Sequence, residues 1–85
     1  MVIQLGGEGV RRSKLEIIVN LLEVCKEDAL KTNLVYKTNL NFNLVGKYLK
    51  VLLEKEWVTE NGGKYRITEK GICFLSKAGD VLSEL

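Results

Sequence analysis

The chain reads as a mainly helical fold carrying one small β-hairpin, in the order helix, helix, helix, hairpin, helix. Three observations lead there. Apolar residues recur at three- and four-residue steps through most of the 85 residues, the period of helices with a buried face. Two β-rich runs, Trp57-Val58-Thr59-Glu60 and Lys64-Tyr65-Arg66-Ile67, flank Asn61-Gly62-Gly63. Asn-Gly favours the positive φ angles of a tight hairpin turn. No proline interrupts any of these segments.

Residues 1–10 form a lead-in or a short strand, Val2-Ile3-Gln4-Leu5 being broken by Gly6-Gly7. Ser13 and Glu16 make a capping box that opens a first helix. It runs to about Glu27, with Glu16, Asn20, Glu23 and Glu27 as its solvent stripe. The rest of its surface is apolar from Leu15 to Cys25, so it should be covered on more than one side and lie centrally. A short second helix spans Thr32 to about Thr38 with Leu34 and Val35 facing in, and a very short strand near Ala29 to Lys31 can add to the hairpin. After a break at Asn39-Leu40, Asn41 caps a third helix, about Phe42 to Glu56. Val45, Leu49, Leu52 and Leu53 form its buried stripe, with Tyr48 alongside; Asn43, Gly46, Lys47, Lys50 and Glu54 lie opposite. Thr68 caps a last helix, about Glu69 to Leu85. A short helix, a longer one and then a hairpin is the layout of a winged helix-turn-helix. Residues 11–67 would form that domain, and residues 68–85 a C-terminal helix available for dimerisation.

Charge is unevenly placed. The chain carries +2 overall, yet the 24 residues from Leu30 to Leu53 hold Lys31, Lys37, Lys47 and Lys50 and no acid, leaving −2 for the other 61. The same stretch holds Asn33, Asn39, Asn41 and Asn43. Ordinary solvated faces mix signs, whereas a surface without acids and rich in amides suits nucleic acid.

Other classes fit poorly. At 85 residues the chain is one small domain. Two cysteines, no histidine and no CxxC spacing leave no zinc site. Cys25 and Cys73 fall on apolar helical faces and read as small buried hydrophobes. No Gly-rich phosphate loop and no cysteine with a base partner is present, so neither catalysis nor a cofactor or small-molecule ligand is expected. No apolar run approaches the roughly 20 residues of a membrane span. Without a signal-peptide pattern, the cytoplasm is the expected compartment.

Arg11-Arg12-Ser13, Lys31-Thr32, Tyr36-Lys37, Leu40, Tyr48-Leu49 and Leu52-Leu53-Glu54-Lys55 resemble an archaeal winged helix-turn-helix family. So does the run Tyr65-Arg66-Ile67-Thr68-Glu69-Lys70-Gly71. The family includes small, basic, dimeric chromatin-type proteins. The resemblance runs from Arg11 to Leu75, and its most specific piece, Thr68 to Gly71, recurs widely among winged-helix regulators. It implies a homodimer, formed in dimeric members by a long C-terminal helix in an antiparallel coiled coil. Two positions depart from the pattern: Glu56 stands where the third helix usually ends on Gly, and Gly46 where a polar or bulky residue is usual.

The expected function is binding of double-stranded DNA, as a nucleoid-associated transcription regulator or chromatin-type protein. The alternative is a winged-helix protein–protein interaction module within a larger assembly. For DNA, the third helix enters the major groove. Asn43 suits adenine, Lys47 suits guanine, and Lys50 lies a turn further on. Asn41 belongs to the same end of the helix. Lys31, Thr32, Tyr36 and Lys37 would hold phosphates. Arg11 and Arg12 would clamp flanking backbone, with Lys14 beside them; Lys64 and Arg66 would reach out from the wing. Gly46 costs roughly 1 kcal/mol relative to Ala in a helix; close approach to DNA, packing against the second helix, or no role at all each account for it. Leu75, Ala78, Leu82 and Leu85, with Gly71, follow near-heptad spacing and make a candidate dimer seam. Packing within the monomer is the competing account.

Overall fold

The computed structural model describes residues 12–83 of the chain, with side chains to residue 79. The expectations for residues 1–10, Arg11, the Leu82 side chain and Leu85 fall outside what it describes. The elements are α1 (Lys14–Val24), β1 (Ala29–Leu30), α2 (Lys31–Thr38), α3 (Phe42–Glu54), β2 (Val58–Asn61), β3 (Lys64–Ile67) and α4 (Glu69–Ser83). The three strands form an antiparallel sheet in the order β1-β3-β2. This is a winged helix-turn-helix.

The capping box forms as its residues dictate: Glu16 N–H donates to Ser13 Oγ at 3.1 Å, and Ser13 N–H to Glu16 Oε1 at 2.9 Å. α1 packs on both α2 and α4, and Leu21, Leu22 and Cys25 are fully buried. It ends at Val24 rather than Glu27. The Cys25 carbonyl, which a continuing helix would use itself, accepts from Ile67 N–H at 2.8 Å. That bond ties α1 to the end of the wing. It also turns the chain so that Ala29 and Leu30 pair with Tyr65 and Lys64.

α2 and α3 are joined by Asn39, Leu40 and Asn41. Asn39 adopts a left-handed conformation (φ 60°), which asparagine tolerates better than most residues. Asn41 Oδ1 accepts from Leu44 N–H at 2.7 Å and so caps α3. Leu34, Leu40, Val45, Leu49 and Leu52 meet α1 in one core.

The end of α3 explains the junction to the last helix. Glu56 has φ 62°; its N–H donates to Leu53 O at 3.0 Å and Trp57 N–H to Leu52 O at 2.9 Å. This pair of bonds is the Schellman arrangement, which favours Gly at the left-handed position. The helix therefore stops at Glu54, two residues short of the expected end. Thr68 Oγ1 donates to Glu56 O at 2.6 Å and accepts from Gly71 N–H at 3.0 Å, capping α4. Lys70 pairs with Glu56 at 3.0 Å. A side-chain carbon on Gly71 would collide with the Trp57 carbonyl and come within 2.7 Å of Ile67 Cγ1. The Thr-Glu-Lys-Gly run thus locks α4 onto the end of α3.

The hairpin forms, with its turn one residue later than Asn61-Gly62. Asn61 pairs with Lys64 in the sheet, and the two-residue loop is Gly62-Gly63, with φ 61° and 82°. Two glycines reach positive φ without side-chain strain. This register keeps Tyr65 and Ile67 against the core and Lys64 and Arg66 exposed. Trp57 lies before the strand and stacks on Phe74, ring centroids 3.9 Å apart and 20° from parallel.

Candidate nucleic-acid interface

α3 presents the most coherent surface. At about 100° per residue, Asn43, Lys47 and Lys50 fall within roughly 60° of one another on its outer side, and all three are exposed. None of Lys31, Lys37, Lys47 and Lys50 forms an ion pair among the described residues; the pairs that form are Lys26–Glu23, Arg66–Asp28 and Lys70–Glu56. The acid-free stretch of sequence is thus a surface of uncompensated cations around α2 and α3. Thr32 and Lys37 are exposed on α2, and Tyr36 is 86% exposed.

Other expected contacts are committed to the fold. Arg12 Nη2 donates to the Thr38 carbonyl at 2.9 Å, and its Nε is buried without a partner among the described residues. Arg12 therefore closes the C-terminal end of α2 instead of standing free as a backbone clamp. Asn41 spends its side-chain oxygen on the α3 cap, leaving only its amide NH2 to donate outward. On the wing, Lys64 and Arg66 share the outer face, but Arg66 is paired with Asp28 at 3.1 Å.

The dimer seam is also changed. Gly71, Leu75 and Ala78 are buried within the chain, so they have no side-chain surface to offer a second copy. Among the described residues of α4, the large apolar side chain left exposed is Ile72, at 52%. Of the cysteines, Cys25 is buried as expected and burial pushes its thiol from 9.0 up to about 11; Cys73 is exposed, contrary to its apolar-face assignment.

Two features were not legible as parts of a site. Phe42 falls on the buried stripe by period, yet it is 49% exposed because it starts the helix beyond the core. The Lys31 ammonium rests 4.3 Å from its ring centroid. On the other flank of α3, Ile18, Leu44, Tyr48 and Val51 line an open apolar groove of about 450 Å³ rimmed by Lys14 and Lys47. Its signal was the row Leu44, Tyr48, Val51 at helical spacing outside the main stripe. Among the described residues, no group of His, Cys, Asp and Glu is placed to hold a metal. No described helix is long and apolar enough to cross a membrane.

The fold and this surface define a helix-turn-helix module with a three-stranded wing. The chain matches the winged helix-turn-helix family over residues 11–85 and belongs to it. Two relatives from Methanocaldococcus jannaschii are similar in sequence. The uncharacterized protein MJ0290 is 34% identical over 73 residues, 85% of this chain and 35% of that protein. The uncharacterized protein MJ0287 is 32% identical over 62 residues, 72% of this chain and 64% of that protein. The chain thus spans about a third of one and just under two thirds of the other. Among solved structures, Sso10a-2, a DNA-binding protein from Sulfolobus solfataricus, is similar with a TM-score of 0.76 at 24% identity, over 85% of this chain and 80% of that one. At that identity the likeness is one of fold.

Proposed function

We propose that the chain binds double-stranded DNA with the outer face of α3 in the major groove, acting as a nucleoid-associated transcription regulator or chromatin-type protein. The observation that carries this is the row Asn43, Lys47 and Lys50: exposed, on one face, and without a carboxylate partner among the described residues. Family membership and the fold it shares with a DNA-binding protein support the same reading. Lys31, Thr32, Tyr36 and Lys37 supply phosphate contacts, and Lys64 supplies another from the wing. Such contacts set position, while Asn43 and Lys47 address base edges.

A gel-shift series on random-sequence duplex tests the reading. Binding is expected at about 50 mM salt and micromolar protein, weakening steeply toward 200 mM as counterions are no longer released favourably. Reversing Lys47 and Lys50 to Glu together should weaken it at least about tenfold, the scale of two lost charge contacts made repulsive. Absence of binding at the low-salt end would sink the proposal.

A second reading is favoured by the apolar groove beside α3: a protein-interaction module that receives a partner between Lys14 and Lys47. Reversing Lys50 alone separates the two, because a partner held between Lys14 and Lys47 by Ile18, Leu44 and Val51 does not touch it, whereas DNA binding should still weaken.

We further propose that two copies associate through α4, using its exposed side around Ile72 in place of the buried Leu75 and Ala78. A dimer would place two α3 helices roughly 34 Å apart on successive major grooves. Sedimentation at tens of micromolar should then show twice the 9.6 kDa chain mass; a purely monomeric profile rejects the dimer without touching DNA binding.

A further inference from the structure

Three local irregularities converge on one point of the surface. Lys31 is the first residue of α2, which has no acid in its first turn. A cation there opposes the helix dipole. Phe42 begins α3 half-exposed. Gly46 interrupts the same helix one turn later, although Gly is a poor helix former. Each is unfavourable or idle by itself. Together they make a seat: the Lys31 ammonium lies on the Phe42 ring at 4.3 Å, and a side-chain carbon built on Gly46 would stand 2.9 Å from Nζ and 3.4 Å from Cε. Any larger residue at 46 must push the ammonium away. Where several local rules are broken at one place without a gain in packing, a functional constraint is the physical expectation.

We infer that Phe42 and Gly46 are positioning residues that hold the Lys31 ammonium against the edge of the α3 outer face, where it contacts a DNA phosphate bordering the groove. This rests on the DNA-binding reading. The seat changes what Lys31 is: a long, flexible side chain of α2 becomes a fixed charge on α3, moving with the helix that reads the bases. Fixing it in advance lowers the entropy lost on binding. The ring face compensates the ammonium for lost hydration without the neutralising effect a carboxylate would have. The notch at Gly46 leaves the charge close to the helix surface.

The test is a set of four proteins: wild type, Gly46→Ala, Lys31→Ala and the double variant. Each is titrated against one random-sequence duplex over a salt series and melted thermally. Ala is the better helix former and meets only the movable end of a lysine, so Gly46→Ala should fold with an equal or higher melting temperature. It should nevertheless bind at least about threefold more weakly, with a log–log salt slope shallower by roughly 0.9, the loss of one phosphate contact. Lys31→Ala should do the same, and the double variant no more than Lys31→Ala alone. Equal binding by Gly46→Ala and wild type overturns the proposal. So does a further loss on adding Gly46→Ala to Lys31→Ala, because the methyl would then act on DNA directly. If wild type itself fails to bind, the DNA reading falls and the proposal with it. The seat alone is checked without DNA: the Lys31 ε-methylene protons should be shifted upfield by the Phe42 ring and should return toward ordinary values in Gly46→Ala.

Discussion

Glu56 shows how much a single backbone angle decides. Its φ of 62° places a side-chain-bearing residue where the end of α3 calls for glycine. Left-handed geometry costs an L-residue on the order of 1 kcal/mol. Its carboxylate gains a pair with Lys70 at 3.0 Å, but both partners are well exposed and such pairs contribute little. Glu56→Gly should therefore unfold at a higher urea concentration than Glu56→Ala, by about 1 kcal/mol in stability. An Ala variant as stable as the Gly variant would show that the helix end relaxes out of the left-handed region. Gly71 is the opposite case, a glycine that the structure requires, because the Trp57 carbonyl and Ile67 occupy the space of a side chain. Arg12 completes the residue picture. Sequence alone offered it as a solvent-facing cation; nothing local announced that Thr38, 26 positions away, would receive its guanidinium.

Among elements, those governed by local chemistry were legible. The Ser13–Glu16 box, the Asn41 cap and the three inward residues of α3 all follow from neighbours in sequence. The end of α3 moves for a local reason, its Schellman bonds, whereas the other two misplaced boundaries answer to distant parts of the chain. α1 stops early because Cys25 gives its carbonyl to Ile67. The hairpin turn falls on Gly62-Gly63 because the register must keep Tyr65 and Ile67 on the core side, and a one-residue slip would expose both. The seam read along α4 loses Leu75 and Ala78 for a related reason. Period gives which residues share a face, not what covers that face, and Leu75 and Ala78 are covered by the chain itself. Within the candidate site, Asn43, Lys47 and Lys50 were readable from spacing. The Lys31–Phe42–Gly46 seat was not, since it joins two helices.

For the whole molecule, charge distribution matters more than total charge. A net charge of +2 would suggest weak interest in a polyanion. The carboxylates that find cationic partners, Glu23, Asp28 and Glu56, lie on α1, ahead of β1 and at the end of α3, away from the Asn43–Lys47–Lys50 row. One side of the helix-turn-helix thus keeps Lys31, Lys37, Lys47 and Lys50 out of ion pairs among the described residues, with Glu54 the one acid at the far end of the α3 face, and the field it projects there is local and positive. The same molecule carries an apolar groove on the neighbouring flank of α3, so the two competing functions would use adjoining surfaces of one helix. The measurement that separates them most directly is amide chemical-shift mapping of the protein titrated with a short random-sequence duplex. The DNA-binding account predicts the largest changes at Asn43, Gly46, Lys47 and Lys50, with smaller ones at Lys31, Thr32 and Lys64. Changes confined to Ile18, Leu44, Tyr48 and Val51, or no changes at all at low salt, would contradict it.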